Sequence, residues 1–230
     1  MKNVLLKPFG LLLLTLSLVA CDKDDDDMNE AQAQVMVVHG SPDAPAVDVR
    51  INNSVALTNV PFLANSAYTP VNAGNTNIKV SPTGTTTYVI DANVNLEAKN
   101  YSVFAIDSVS KIKAAVVTDD LTNPATGKSH VRFFHFSPNA PAVDIAVTGG
   151  PVVFPNRSFN DQGMNTETAS FTPLDATTYN LEVRLAGTNT VVLALPNVAL
   201  TAGKIYTVYA KGFVGGTGAQ ALGAQVITHN

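Results

Sequence analysis

The chain has 230 residues, 46% of them hydrophobic and 14% charged, with no Trp, a single Cys and a formal net charge of −4. That much apolar content excludes a chain disordered throughout, and one Cys excludes an internal disulfide. The charge is concentrated in Asp22, Asp24, Asp25, Asp26, Asp27 and Glu30, opposed there by Lys23 alone; the rest is close to neutral, and the lack of a basic stripe excludes the usual electrostatic footprint of a nucleic-acid partner.

The first element is an address. Lys2 and Lys7 flank the start of an apolar run over residues 11–20, which ends Leu18-Val19-Ala20-Cys21. About ten apolar residues are too few to span a bilayer as a mature helix and suit a removed leader. Small residues before a Cys, at the end of such a run, resemble the lipobox cut by the lipoprotein signal peptidase. The resemblance implies a signal peptide over residues 1–20. It also implies a mature N-terminus at Cys21 that carries lipid, palmitate included, and holds the protein on a membrane. Residues 21–32 then read as the lipidated Cys and an extended acidic tether, because clustered aspartates repel and bury nothing apolar. Lys23-Asp24-Asp25 is similar to a short signal that exports lipoproteins to the outer face in one group of Gram-negative bacteria. That resemblance implies an outer-membrane lipoprotein facing the cell exterior. The Asp run lacks the spaced ligands and Gly turn of an EF-hand loop.

From residue 33 the pattern turns to short strands. Residues 34–39 carry Val35, Val37 and His39 on one face and Met36 and Val38 on the other, which suits a strand buried on both sides. Gly40-Ser41-Pro42-Asp43-Ala44-Pro45 is turn chemistry. Residues 47–51 alternate, with Val47, Val49 and Ile51 inward and Asp48 and Arg50 outward. Further strands are predicted at 55–57, 67–71, 77–81, 86–91, 101–106 and 111–118. Pro82-Thr83-Gly84 marks a hairpin. No helical period of ten or more residues follows the leader. Seven or so short strands in about 90 residues predict a β-sandwich.

The same pattern then returns. His39-x-Ser41-Pro42-x-Ala44-Pro45-Ala46-Val47-Asp48 recurs as His135-x-Ser137-Pro138-x-Ala140-Pro141-Ala142-Val143-Asp144, and later positions match as well: Pro70 with Pro173, Gly84 with Gly187, Tyr101 with Tyr206. The fold class is therefore all-β: two tandem antiparallel β-sandwich, immunoglobulin-like domains, repeat 1 over 33–120 and repeat 2 over 129–230, joined by a polar linker over 121–128. The second copy is longer between residues 148 and 170. Phe154, Arg157, Phe159, Asp161 and Met164 in that insertion are the candidates for a private contact surface, since insertions sit on the surface.

The opening Val131-Arg132-x-x-His135-x-Ser137-Pro138-x-Ala140-Pro141-Ala142-Val143-Asp144 and the late Leu200-x-Ala202-Gly203-x-x-Tyr206-x-Val208-x-Ala210 resemble the bacterial family called domain of unknown function 4397. The first copy departs from it, with Met36 in place of the Arg and Lys99-Asn100 in place of the Gly step. The resemblance covers nearly all of residues 33–230 as two tandem copies. It implies β-sandwiches of secreted or surface-attached proteins and brings no catalytic residues.

His39, Ser41 and Asp48, with His135, Ser137 and Asp144, hold the residue types of a triad, but strand alternation sends His and Asp to opposite faces. The Ser lacks the strained Gly-x-Ser-x-Gly elbow. A His at a strand end facing the core is expected to bond loop carbonyls. No metal-ligand spacing and no phosphate loop is present, so no catalytic residue, metal or other cofactor is expected. Asp107-Ser108-Val109 is similar to a short O-glycosylation signal of some Gram-negative bacteria. The expected function is a non-enzymatic, lipid-anchored envelope protein displaying two sandwiches for adhesion or binding of an envelope protein or glycan partner. The alternatives are a structural spacer or accessory subunit, and a hydrolase with an unrecognised site.

Overall fold

The computed structural model describes residues 30–230. The leader, Cys21 and the acidic run of residues 22–27 lie outside the described residues. In the first half the strands are β1 Gln32–His39, β2 Val47–Ile51, β3 Ser54–Val60, β4 Thr69–Asn72, β5 Gly74–Pro82, β6 Ile90–Leu96, β7 Asn100–Ile106 and β8 Lys113–Asp119. In the second half they are β9 Lys128–His135, β10 Val143–Val147, β11 Val152–Arg157, β12 Thr172–Asp175, β13 Thr178–Leu185, β14 Val191–Ala199, β15 Ile205–Lys211 and β16 Gly223–Thr228. Each half is two four-stranded sheets, ordered β4-β1-β7-β8 and β3-β2-β5-β6, then β12-β9-β15-β16 and β11-β10-β13-β14. The protein is thus two β-sandwiches of one topology, with eight strands each. The pairing is antiparallel except that β1 runs parallel to β7 and β9 parallel to β15.

The repeated motif is where the chain changes sheets. β1 belongs to one sheet and β2 to the other, and the Pro-rich stretch between them turns the corner. Pro fixes φ and has no N–H to leave unpaired there. Within the first half, Val35, Val37, Val47, Val49, Ile78, Val80 and Val103 pack between the sheets.

Two expectations shift in detail. β1 starts at Gln32, because Ala31 O and Glu30 already bind the end of β4 through Ala73 N and Asn72 Nδ2. β6 runs over Ile90–Leu96, not 86–91. The three threonines and Tyr88 have strand-forming side chains but form the loop before it. The true strand is marked by alternation: Ile90, Ala92, Val94 and Leu96 pair inward, while Asp91, Asn93 and Asn95 face out.

The outer face of β1 explains the doubly apolar pattern of residues 34–39. Met36 and Val38 do not face solvent. With Phe104, Ile106, Ala115 and Val117 they form a core shared with Phe134, Phe136, Tyr209 and Ile227 of the second half. The β4-β1-β7-β8 sheet therefore lies against the β12-β9-β15-β16 sheet, giving four layers of strand. Phe104 sits edge-on to Phe134 at 5.7 Å and to Tyr209 at 6.1 Å, and Phe136 packs 5.0 Å from it.

Candidate functional site

The motif's His, Ser and Asp are placed alike in both halves, and they do not converge. His39 Nε2 donates to Pro45 O at 3.0 Å, and His135 Nε2 to Pro141 O at 3.1 Å. A carbonyl only accepts, so both rings are the Nε2–H tautomer. Burial lowers both imidazole pKa values below the usual 6.5, against the raising effect of these bonds. Ser41 Oγ donates to Asp107 O at 2.6 Å and Ser137 Oγ to Gly212 O at 2.7 Å, tying the corner to the end of β7 or β15. Asp48 lies on the outer face. It accepts from Asn59 N at 2.9 Å and Gly84 N at 3.1 Å, and these bonds hold its pKa below the ordinary value. Asp144 repeats this with Asn156 N at 2.6 Å and Gly187 N at 2.8 Å. All four amide donors belong to residues with positive φ, where the backbone needs an outside acceptor to hold its bend. The His clamps its own corner, the Ser clamps the neighbouring strand, and the Asp clamps a bulge and a hairpin.

The proposed contact loop of the second half is mostly not surface. Phe154 faces the core and stacks on Phe133 at 6.3 Å. Arg157 and Asp161 are buried as an ion pair, with Nε–Oδ2 2.7 Å and Nη2–Oδ1 2.8 Å, and Arg157 Nη2 also donates to Thr168 O at 3.0 Å. The reason is positional. Arg157 stands opposite Val143 as Val60 stands opposite Val47, so it occupies an inward position and needs an internal carboxylate. Phe159 does make a contact, but with the first half, where Lys113 Nζ lies 4.9 Å over its ring. Met164 alone of the five is strongly exposed, at 83%. The insertion folds as two 3-10 turns, Asp161–Gly163 and Thr166–Ala169, beside the junction between the halves. Ser108 sits at a turn before the 3-10 turn Val109–Lys111.

The densest polar constellation lies at that junction. Arg132 and Asp119 form a fully buried ion pair through Nη2 and Oδ1. Asp119 Oδ2 also accepts from Tyr68 Oη at 2.6 Å and Ser102 Oγ at 2.7 Å. Arg132 Nε donates to Thr207 Oγ1 at 2.8 Å, and its Nη1 to Thr118 O and Ala169 O. His229 closes the ring, with Nδ1 2.7 Å from Tyr68 Oη and Nε2 2.7 Å from Thr207 Oγ1. Counting protons fixes the tautomer. The carboxylate only accepts, so Tyr68 gives its proton to Asp119, and His229 must donate from Nδ1. Thr207 accepts from Arg132, so its own proton goes to His229 Nε2.

Burial, then Asp119, push the Tyr68 hydroxyl far above its ordinary pKa. Burial brings His229 down to about 4. Burial also lowers the Arg132 pKa, and Asp119 opposes the effect. The hydroxyl protons of Tyr68, Ser102 and Thr207 and the imidazole proton of His229 are each committed to a neighbour, so the arrangement serves as a lock between the halves. Two clefts flank it, of about 410 Å³ beside His130 and Phe171 and about 340 Å³ beside Tyr68 and Asn230.

The lock is built from the same positions of each half. Strand registers place Met36 with Arg132, Ser102 with Thr207, Asp119 with His229 and Tyr68 with Phe171. Arg132 rests over Phe171 at 4.3 Å, and Phe171 meets His229 edge-on at 5.6 Å. One copy supplies the carboxylate and the other the guanidinium. The substitution of Met36 for Arg in the first copy is thus half of a complementary pair. Asp119, read from the sequence as the end of the first repeat just before the polar linker, is the other half. The available signal was Arg132 itself, because a guanidinium in a strand flanked by Val131, Phe133 and Phe134 must find an internal acid.

Among the described residues, no group of three or more His, Cys, Asp or Glu side chains is placed to hold a metal, and no helix is long and apolar enough to cross a membrane. No curated protein matches the sequence. Among solved structures, CBMbc (family CBM26) from Eubacterium rectale Amy13K, in complex with maltoheptaose, is similar at 8% identity. The similarity covers 85% of this chain and 96% of that one with a TM-score of 0.24, a level that carries no argument. The family described as domain of unknown function (DUF4397) matches residues 33–146, from the opening of β1 through the corner, the junction and the second copy of the motif, and the chain belongs to that family.

Proposed function

We propose that this protein is a lipid-anchored component of the cell envelope. It displays its two sandwiches toward the exterior for adhesion or partner binding and turns over no substrate. The observation that carries this reading is the position of the only Cys. Cys21 closes an apolar run with small residues before it, and five aspartates stand within the next six residues. Two acyl chains or more at that position give stable anchoring where one is marginal. The body that follows supports display: its halves share an apolar core and a buried ion pair, so they face a partner as one rigid block. A structure that must present a surface at a distance from a membrane gains from such stiffness, because no ordering cost falls on binding.

The test has two arms. Metabolic labelling with palmitate should mark the wild type and not Cys21→Ser, and a protease added to intact cells should cut the labelled protein. Equal labelling of the variant removes the anchor. A protein that stays uncut until the outer membrane is permeabilised places it on the inner side. Capture on the purified body of one specific component from envelope extracts or glycan arrays supports partner binding, and reproducible absence of any favours a spacer.

A further inference from the structure

The two sandwiches differ in how tightly they close. In the first, the space between the sheets near β6 and β8 is about 10 Å³. In the second, a cavity of about 560 Å³ opens between the same sheets, and a second space of about 380 Å³ continues along the same seam toward Val192 and Leu222. The larger lies well within the roughly 300–1,000 Å³ of small-molecule sites.

The cause is readable in the inward positions. By strand register, Tyr179 stands where the first half has Thr76, Leu195 where it has Ala92, and Phe154 where it has Leu57. Phe133 stands where it has Val37. These bulkier side chains wedge the sheets apart at the edge strands β14 and β16. Ile90 and Leu96 of β6 are buried, whereas Leu193, Leu195 and Val198 of β14 are only half-buried. Of nine large apolar side chains exposed among the described residues, three border this seam: Val192, Val214 and Val226.

We propose that the second sandwich is a binding site for a linear hydrocarbon, the acyl chain of a free fatty acid or single-chain lipid, held lengthwise between its two sheets. The lining is the argument for this occupant. No charged side chain lines the larger cavity, and its polar groups are few: Asn197, Thr228 and two tyrosines, of which Tyr206 already accepts from Thr201 N. A peptide strand in the slot would bring an N–H and a C=O per residue with almost nothing to pair them, at a cost of kilocalories for each orphan. Pairing a strand along the β14 edge is interrupted as well, since Pro196 has no N–H and Asn197 is at φ 57°. A methylene chain asks for no hydrogen bonds, and a slot between sheets about 10 Å apart is one chain thick.

The experiment uses residues 22–230, which lack Cys21, so no acyl group of the protein's own can fill the slot and the outcome is independent of whether the envelope reading is right. The sixteen strands and the core shared by the two halves all lie within this chain. Binding is read as the gain in emission of cis-parinaric acid and its displacement by palmitic acid. Ala224→Phe fills the slot opposite Ala210, and Val226→Asp sets a charge at its mouth on a side chain that is already 44% exposed. Each should weaken binding by about tenfold or more with a folded circular-dichroism spectrum retained. Absence of an emission gain with the wild type, or equal binding by Val226→Asp, overturns the proposal. So does displacement of the probe by a synthetic peptide of alternating Thr and Val but not by palmitic acid, or a dimer that closes the seam and binds no probe.

Discussion

At the residue scale, the motif that looks most like chemistry is a set of clamps, and each clamp can be weighed. Asp144 holds two backbone amides at positive φ on two different loops. Charge-assisted bonds of this kind contribute about 1.5–3 kcal/mol each, with losses that overlap, so Asp144→Ala is expected to cost about 2–4 kcal/mol in urea unfolding. An unchanged midpoint would mean that water replaces the carboxylate. Tyr209 gives the opposite sign. Its hydroxyl is buried in the shared core with no partner among the described residues, so Tyr209→Phe should gain about 1 kcal/mol. His229 makes the fold sensitive to acid. The unfolded imidazole takes its proton near pH 6.5, and the folded one only at about 4. The stability tied to its neutral form is therefore complete above pH 6.5 and is lost as the pH falls to about 4, a loss of about 3 kcal/mol. His39 and His135, also lowered by burial, add to it in the same direction. Melting temperatures at pH 7 and pH 4.5 measure the sum. Asp119 and Arg132 act on His229 in opposite directions, so His229→Gln should flatten the slope without changing the net charge of the junction at pH 7.

At the scale of the element, β9 carries the decisive side chain. Arg132→Met installs the residue of the first copy. It leaves Asp119 buried with only Tyr68 and Ser102 as donors, and should cost about 3–5 kcal/mol. Adding Asp119→Val should recover most of that loss, because a buried pair exchanged for apolar side chains is close to neutral. If the double variant is as unstable as the single, the guanidinium holds the junction through Thr207 and Phe171 instead. The strands themselves were largely legible in the sequence, since inward alternation survives wherever one face meets a core, as in Val47, Val49 and Ile51. β6 was displaced because Asp91, Asn93 and Asn95 carry little strand preference while the threonines before it carry much. The corner motif announced the repeat and the role of its His. It did not announce the junction, because an ion pair between Asp119 and Arg132 depends on how two sheets face each other, and no period within one strand encodes that. The same limit hid the burial of Arg157 and Asp161: an insertion reads as surface, and only the bulged pairing of β11 with β10 turns Arg157 inward.

At the scale of the molecule, the two sandwiches are expected to unfold as one. Phe104, Phe134, Phe136 and Tyr209 are each fully buried in a core that neither half owns, and full burial of a large apolar side chain contributes about 1.5–3 kcal/mol. Separating the halves would expose all four together with the Arg132–Asp119 pair. Large apolar contacts of this kind couple domains, whereas small polar ones leave them to move independently. The whole body should therefore show a single calorimetric transition whose van't Hoff enthalpy equals the measured one. Phe104→Asp should lower the stability of the second half as well as the first, read by amide exchange at Val131 and Val208, far in sequence from the change. Produced separately, residues 30–127 and 128–230 should each expose an aromatic sheet face, bind a hydrophobic dye and associate, and mixing them should restore the monomeric mass of the intact body. Two separate transitions, or exchange at Val208 that ignores Phe104→Asp, would show that the sandwiches are stable without each other and that their shared face only sets their orientation.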